Sequence, residues 1–451
     1  MTFAPTIGLI AEYNPFHNGH VYQLAKLREL HLDAAIVVIM SGSFTQRGGA
    51  AIADKWTRAA WAVRGGADLV LELPYAFACR SAEHFASGGV QCLAGLGCID
   101  ALAFGAEAEH IEPLEKAAAC MDDAALQEAL HARIAGGASY AAAMATEVAA
   151  RTGVAAEVLR APNNILGMEY LRAVRRFAPE METLLVQRVG TDYHDTDMHG
   201  RFASASAIRA ALEGIYGEIP PTAQSSLSHA LPSPLLPSAS LTAPSEREPY
   251  IALQRVMPED CLAALMAALP DRLPRQSFLL RPLLSRLLLL DAASLSAVCG
   301  MGEGLEHRLM EKAQMARSFE GLVGAVATRR YPRSRIARLL VHVLTGFTAE
   351  AAAAFDATGP RYLRVLAMNA RGARLLHRAK KTARLPIITK TSQFLKSKDL
   401  LRAWEDLTPL QQMLLFDVRA TELRELSLAS KGTYCRDFLT SPYVVRASCE
   451  K

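Results

Sequence analysis

The fold of this chain follows from one segment near its start, Ile7-Gly8-Leu9-Ile10-Ala11-Glu12-Tyr13-Asn14-Pro15-Phe16-His17-Asn18-Gly19-His20. The run from Ile7 to Ala11 is apolar and predicts a buried strand, a turn at Pro15 follows, and a helix with an apolar face begins near His20. The two histidines therefore lie where the first strand of an α/β unit passes into its first helix. Free backbone N–H groups and the positive end of the helix dipole favour phosphate binding there. Two histidines that only cap the helix are the alternative.

The first half of the chain alternates between strand and helix patterns. Strands are predicted at 6–11, 34–40, 68–73, 99–104 and 182–189. Helices are predicted between and after them, at 19–31, 54–64, 81–95, 109–150, 163–177 and 206–213. Short apolar runs separated by helices favour an α/β fold with a parallel sheet covered on both faces. Ligands of such sheets bind beyond the carboxyl ends of the strands, where His17 and His20 are placed.

The second half has a different pattern. Residues 220–249 contain seven prolines and many Ser and Ala, which is typical of a flexible connection. Helical patterns follow at 251–268, 276–290, 306–326, 334–345, 361–380 and 407–418, with no strand among them. The sequence therefore predicts a catalytic domain over 1–220, a Pro/Ser-rich linker over 221–249 and a mainly α-helical C-terminal domain over 250–451.

Composition restricts the class of protein. A chain of 451 residues with 51% hydrophobic residues is long enough for two or three cores. No uncharged apolar stretch could span a bilayer, and the N-terminus has no secretory signal. The eight cysteines form no CxxC pair, which favours reduced thiols over a zinc site or disulfides. We expect a cytoplasmic enzyme with no metal ligands, no membrane association and no obligate protein partner.

Positive charge is concentrated in one stretch. Residues 329–402 contain seventeen Lys or Arg and three acidic residues, a net charge of +14, whereas the remainder carries −10. Such a division indicates that the basic part holds a polyanion, with Arg329, Arg330, Arg333 and Arg335 as candidate contacts. A solvated Arg-rich helical surface is the alternative.

Other segments place polar side chains near the same sheet edge. Ser204, Ser206 and Arg209 begin a helix and resemble a second phosphate cradle, and Lys55 begins an earlier one. The remaining candidates follow strands or start a helix: Gly105, Asn163, Arg188 and Val189. Ordinary turns and helix caps explain each of these alone. The two cradles, at His17 and His20 and at 204–209, together predict an ATP across the strand ends. No Ser-His-Asp set and no Walker-type loop is present, so the chemistry that fits is displacement at the α-phosphate, which needs no protein nucleophile.

The whole chain resembles the bacterial tRNA(Met) cytidine acetate ligases, which belong to the HxGH nucleotidyltransferase superfamily. Matching stretches are 12–20, 41–48, 71–77, 81–83, 104–105, 163–166, 187–190, 204–209, 335–336, 362–366 and 385–390. The resemblance implies a Rossmann-like nucleotidyltransferase domain followed by a helical, basic, tRNA-binding domain. It also implies two steps: acetate and ATP give acetyl-adenylate and pyrophosphate, and the wobble cytidine of elongator tRNA(Met) then takes the acetyl group and releases AMP.

The resemblance also implies roles for individual residues. His17 and His20 are the catalytic pair, and ATP is bound by residues 7–20 with Gly105, Asn163, Arg188 and Val189. Mg²⁺ is expected because ATP normally carries it. Two other functions stay open: an adenylyltransferase acting on a small phosphorylated cofactor precursor, and a non-catalytic, nucleotide-regulated RNA-binding protein.

Overall fold

One sheet organises the protein. The structure is a computed structural model that describes residues 5–188, 200–217, 244–269, 271–430 and 432–445. Within these residues the strands are β1 (Thr6–Ala11), β2 (Ala35–Ser41), β3 (Leu69–Leu73), β4 (Ala101–Ala106), β5 (Glu182–Gln187), β6 (Leu363–Met368), β7 (Ile387–Ile388) and β8 (Tyr443–Val444). Their order is β5-β4-β1-β2-β3-β6-β7, and β8 pairs with β6. The first five strands are mutually parallel, as predicted.

Strand direction fixes where a ligand can bind. From β1 the chain proceeds through β2 and β3 on one side, then returns to place β4 and β5 on the other side. The strand order therefore reverses between β1 and β4, and the connections after these two strands leave a crevice at their carboxyl ends. This crevice is the expected ligand site of the fold.

Helices cover both faces of the sheet. Those of the first half are α1 (Asn18–Leu30), α2 (Lys55–Arg64), α3 (Tyr75–Ala78), α4 (Ala82–Leu96), α5 (Glu112–Cys120), α6 (Ala124–Ala135), α7 (Tyr140–Thr152), α8 (Ala156–Arg160), α9 (Pro162–Phe177) and α10 (Ala205–Gly217). Strand β2 shows why two layers are needed: Val37 and Ile39 join one hydrophobic core, and Ile36 and Val38 join the other.

The second half is mainly helical. Its described helices are α11 (Pro244–Val256), α12 (Glu259–Ala268), α13 (Leu280–Leu289), α14 (Ala292–Ser296), α15 (Leu305–Ala313), α16 (Phe319–Val326), α17 (Arg333–Thr345), α18 (Ala349–Thr358), α19 (Ala370–Ala379), α20 (Pro409–Leu426) and α21 (Arg436–Leu439). The predicted fold class, an α/β parallel sheet followed by a mainly helical region, is confirmed. Much of the predicted linker lies outside the described residues, and α11 begins at Pro244.

The prediction of one helix over 361–380 is wrong. Residues Leu363–Met368 form β6, which pairs antiparallel with β3, and helix α19 begins only at Ala370. The run is short and buried on both faces, so its apolar residues carry no helical period to distinguish strand from helix. Because β6 lies in the sheet of the first half, the two halves share a sheet and a core.

Candidate functional site

The site lies at the crevice where the strand order reverses. Strand β1 ends at Ala11, and α1 starts at Asn18. The intervening loop carries Tyr13 at a positive φ of 48° and a cis peptide bond between Asn14 and Pro15. This loop presents the first turn of α1, and with it the positive end of the helix dipole, at the carboxyl edge.

His17 and His20 cap α1 together. The Nδ1 atom of His17 accepts a hydrogen bond from the Gly19 N–H at 3.1 Å, and the Nδ1 atom of His20 accepts one from the His17 N–H at 3.2 Å. The capping alternative is thus confirmed, but it occupies only one nitrogen of each ring. Because Nδ1 is an acceptor in both, the hydrogen of each neutral imidazole is assigned to Nε2. Neither Nε2 atom has a hydrogen-bond partner among the described residues.

Close packing fixes the two rings. They stack with centroids 3.7 Å apart, and Tyr13 contacts His20 edge-on at 4.7 Å. Gly19 makes the arrangement possible, since a Cβ atom there would lie 2.9 Å from the imidazole of His17. Any side chain at that position would displace the ring. The spacing of the tetrad therefore has a steric cause as well as a chemical one.

Two arginines approach the histidine pair. Burial, together with the charges of Arg188 and Arg209, lowers the pKa of His17 to about 3. Burial, His17 and Arg188 hold the pKa of His20 well below its usual value. Both imidazoles are therefore neutral near pH 7, while two guanidinium groups supply positive charge. Neutral N–H donors, cations and a helix N-terminus form a site suited to a polyanion.

This burial predicts a specific dependence of stability on pH. The unfolded chain protonates His17 below a pKa of about 6.5, whereas the folded chain resists protonation down to a pKa of about 3. Stability due to this group is therefore complete above pH 6.5 and is lost as the pH falls towards 3. We expect His17→Asn, which keeps an N-cap residue, to remove about 1.2 kcal/mol of the stability loss between pH 7.0 and 5.5. Urea unfolding of both proteins at the two pH values measures this, and identical losses would contradict it.

The second predicted cradle lies beside the first. Arg209 of α10 donates from Nη1 to the Asn14 carbonyl at 2.6 Å and from Nη2 to the Ser206 Oγ at 3.2 Å. Ser204 is buried, and its Oγ accepts from the Ala207 N–H at 3.1 Å, so this serine caps α10. The structure thus brings Arg209 to the loop before His17. Ser204 serves mainly as a cap.

The other side of the crevice is formed by β4, β5 and α9. Gly105 lies in β4, where an added Cβ atom would be 3.5 Å from the Cγ atom of Arg188. Asn163 donates from Nδ2 to a carboxylate oxygen of Glu107 at 2.5 Å. Glu107 also accepts from the Asn164 N–H, so this carboxylate caps α9, a role that the sequence analysis missed. Val189, a predicted ATP contact, lies outside the described residues.

Arg58 holds the carboxyl edge together and was also missed. Its buried guanidinium donates to the carbonyls of Glu12 at 2.6 Å, Ser41 at 3.1 Å and Ala53 at 3.0 Å. The Glu12 carboxylate in turn accepts from the Gln46 N–H at 2.7 Å. These bonds join the loops after β1 and β2, so Arg58 positions the edge without facing the crevice. A lone Arg in a helix pattern gives no signal of such a role.

Lys55 needs a correction. Its ammonium is completely buried and is held by Glu72 at 2.8 Å and by Asp437 at 2.7 Å. Arg364 of β6 joins the same cluster through Glu72 at 3.1 Å. With its charge compensated inside the protein, Lys55 is not available to a phosphate, and we no longer expect it to bind one.

The predicted tRNA contacts lie around the start of α17. Arg329, Arg330 and Arg333 are exposed, and Arg335 lies over the Tyr331 ring at 4.6 Å. Two of them have surface ion pairs: Arg330 with Glu303 at 2.6 Å, and Arg333 with Glu320 at 3.2 Å.

Helix α17 also reaches the crevice edge. Arg338, one turn along this helix, donates to the Gln46 carbonyl at 3.0 Å in the loop after β2. This group of arginines is therefore adjacent to the edge that carries the histidines. Because of their charge and their position, these arginines remain the candidate RNA-binding surface near the site.

Two properties of the described residues bear on the class of protein. None of the helices in the described part of the chain combines the length and the apolar character that crossing a bilayer requires. In the same residues, no group of three or more His, Cys, Asp or Glu side chains is arranged to hold a metal ion.

Comparison with known proteins gives consistent similarities. The model of the family described as HIGH Nucleotidyl Transferase matches residues 4–436. The tRNA(Met) cytidine acetate ligase of Syntrophotalea carbinolica is 36% identical over 98% of this chain and 99% of its own length. That of Acetivibrio thermocellus is 32% identical over 92% of this chain and 94% of its own.

Solved structures are similar over the same length. The apo structure of Thermotoga maritima TmcAL superposes with a TM-score of 0.82 at 29% identity, covering 98% of this chain and all of that one. The structure of the same protein bound with alpha-thio ATP superposes with a TM-score of 0.80 at 28% identity.

Proposed function

Because the chain belongs to the HIGH nucleotidyl transferase family, and within it to the tRNA(Met) cytidine acetate ligases, we propose that it acetylates the wobble cytidine of elongator tRNA(Met) at the expense of ATP. The observation that carries the proposal is the pair of stacked imidazoles at the start of α1, whose Nε2 atoms have no hydrogen-bond partner among the described residues, with Arg209 held at the same loop. A similar protein is known with an ATP analogue bound. We place the ATP triphosphate over the start of α1.

In the first step an acetate oxygen attacks the α-phosphorus of ATP. The bond from that phosphorus to the bridging oxygen breaks, and pyrophosphate leaves with its electron pair. No protein nucleophile is needed, so catalysis depends on alignment and on stabilising the charge that develops on the leaving group. His17 and His20 would donate from Nε2 to the phosphate oxygens, and Arg209 would neutralise part of the charge. Neutral donors suit this task because they need not lose a proton during the reaction.

The nucleoside would lie on the opposite side of the crevice. Gly105 of β4 has no side chain to exclude the base or the ribose, and Arg188 directly follows the adjacent strand β5. Asn163, fixed by Glu107, would offer its amide to the ribose or the base. We propose these three residues, with Val189, as the nucleoside contacts.

In the second step the exocyclic amine of cytidine attacks the acetyl carbonyl of acetyl-adenylate. The amide bond forms, the mixed anhydride breaks, and AMP leaves as the amine loses a proton. The cytosine amine is a poor nucleophile, which explains why the acetyl group must first be activated. The base must reach the crevice unstacked, as single-stranded loop bases can.

We expect Mg²⁺ to enter with ATP. Among the described residues no cluster of carboxylates is arranged to hold the ion, and two acidic residues at the crevice, Glu12 and Glu107, accept backbone hydrogen bonds. The metal would therefore be held by the phosphates and by water. No residue of the chain needs to be assigned to it.

One assay tests the proposal. Purified protein is mixed with ATP, radiolabelled acetate and total bacterial tRNA, and label is measured in acetyl-adenylate and in tRNA. The proposal requires both, with AMP and pyrophosphate as products. AMP transfer to a small acceptor would instead identify an adenylyltransferase, and binding without turnover would identify a regulatory RNA-binding protein.

The arginines near α17 give a second test. Neutralising three exposed ones together, as Arg329→Gln, Arg330→Gln and Arg333→Gln, avoids placing new acids beside Glu303 and Glu320. Each lost phosphate contact should reduce the slope of log affinity against log salt by about 0.7–0.9. We expect weaker tRNA binding with unchanged acetate-dependent exchange of pyrophosphate into ATP, measured by filter binding and isotope exchange. Loss of exchange, or unchanged tRNA binding, would disprove this division of tasks.

A further inference from the structure

The basic stretch 329–402 does not form one surface. Strand β6 divides it: arginines before the strand lie around α17 at the carboxyl edge of the sheet, where Arg338 reaches Gln46. Because β6 is antiparallel to β3, its last residue, Met368, pairs with the first residue of β3, Leu69. Helix α19 therefore begins at the opposite edge, where the parallel strands start.

Hydrogen bonds fix α19 along this second edge. Arg371 donates to the Ala34 carbonyl at 3.0 Å, just before β2, and Arg378 donates to the Thr6 Oγ at 3.0 Å, at the start of β1. A six-residue strand separates the two edges, a length of about 20 Å. The chain stays at this edge as far as Arg384, whose N–H donates to the Gly95 carbonyl at the end of α4 at 2.8 Å. The basic residues from Arg371 to Arg384 are thus remote from the histidines.

The outer surface of α19 and of the segment after it is strongly positive. Between Asp356 and Asp399 the chain contains no acidic residue. On α19 and the next five residues, 380–384, the exposed Lys and Arg side chains are Arg374, Lys380, Lys381 and Arg384, which we call the amino-edge patch. None of the four forms an ion pair with a described residue. Two neighbouring carboxylates are already engaged, Asp68 by Arg28 at 2.9 Å and Asp100 by the Thr6 N–H at 2.6 Å.

The chemistry of the patch favours RNA over a membrane. A helix that lies on a lipid surface needs an exposed apolar face to insert, but the apolar residues of α19, Leu375 and Leu376, are buried in the protein core. What remains exposed on the described part of α19 is mainly cationic, with Arg374 and Lys380 on its surface. Such a surface recognises phosphates by charge and does not read bases.

We infer that the amino-edge patch binds the phosphate backbone of the substrate tRNA outside its anticodon arm. This inference rests on the proposed function, in which the anticodon loop occupies the carboxyl edge. A folded tRNA continues well beyond that loop, so two basic surfaces at opposite edges can contact different parts of one molecule. The patch would then allow the protein to distinguish a complete tRNA from an isolated stem-loop by affinity.

The test compares two RNAs. The variant Lys380→Glu, Lys381→Glu, Arg384→Glu is assayed for binding to full-length tRNA(Met) and to its isolated anticodon stem-loop. Since three phosphate contacts are removed, we expect full-length affinity to fall about 10- to 100-fold and the salt slope to decrease by about 2. Stem-loop affinity and acetate-dependent exchange of pyrophosphate into ATP should stay unchanged. The matched control, Lys116→Glu, Arg175→Glu, Arg281→Glu, changes the net charge equally at exposed positions elsewhere.

Several results would overturn the inference. If affinity for the stem-loop falls as much as affinity for full-length tRNA, the patch binds the anticodon arm. If the variant loses no more affinity than the control variant, the effect comes from net charge and not from the patch. Equal losses on an unrelated duplex RNA would make it a general RNA surface. Failure of the proposed function is distinguishable, because the wild-type protein would then form no acetyl-adenylate and would not prefer tRNA(Met) at all.

Discussion

Replacing His20 with alanine is expected to slow acetyl-adenylate formation by about 10²–10³-fold, because removal of one donor that stabilises the leaving group costs about 3–4 kcal/mol in the barrier. The affinity for tRNA should change by less than about twofold, since that affinity comes from phosphate contacts elsewhere. Acetate-dependent exchange of pyrophosphate into ATP and filter binding of tRNA measure the two quantities. If acetyl-adenylate formation and tRNA affinity are lost in parallel, the histidine only supports the fold.

The capping role of His20 requires its own control. Alanine removes the acceptor for the His17 N–H as well as the Nε2 donor. His20→Asn supplies a short acceptor for that N–H but cannot place a donor where Nε2 lies. We expect this variant to be as slow as the alanine variant while unfolding at a higher urea concentration. Near wild-type exchange in His20→Asn would show that capping alone matters. His131→Ala, at an exposed position, should match wild type in every assay.

A large effect on stability is expected from Lys55→Met. The ammonium lies between Glu72 and Asp437, and Arg364 contacts the same two carboxylates. Burial would raise the pKa of Asp437, but Arg364 and Lys55 together hold it below its usual value. Removing the lysine leaves two buried carboxylates facing one guanidinium. Breaking such a pair typically costs about 3–5 kcal/mol, which urea unfolding would detect as a reduced free energy of unfolding.

A double variant separates charge imbalance from lost packing. Lys55→Met with Asp437→Asn removes one charge of each sign, so the carboxylate of Glu72 stays paired with Arg364. We expect it to recover part of the stability that the single variant loses, as buried pairs replaced together often do. Lys116→Met, at an exposed site, should unfold as the wild type does. A double variant with a lower free energy of unfolding than the single variant would indicate that packing around the methylene groups of Lys55 dominates.

The sequence predicted the catalytic edge better than it predicted the C-terminal half. His17 and His20 stack, and the charges of Arg188 and Arg209 act on His17, because the edge follows from strand direction, and strand direction follows from the alternation of patterns. The strands predicted at 6–11, 34–40, 68–73, 99–104 and 182–189 match the observed ones to within two residues at every end.

The failures have a common physical cause. Strand β6 and the burial of Lys55 both depend on partners far along the chain: β6 on β3, and Lys55 on Asp437, which is 382 residues away. Local propensity gives no information about such pairings, because a charged residue in a helix pattern is usually exposed. Arg58 and Glu107 were missed for the same reason, since their hydrogen bonds to distant loops leave no mark in the local pattern.

The late position of β6 in the chain has a consequence during synthesis. Until residues 363–368 leave the ribosome, β3 is the outer strand of a five-stranded sheet, and its N–H and C=O groups on that side have no partner. The ion pairs of Glu72 with Arg364 and of Lys55 with Asp437 likewise cannot form until the later residue has been synthesised. During much of translation the nascent chain therefore exposes an unpaired strand edge. Such edges promote aggregation of incompletely folded chains, which is the process that chaperones prevent.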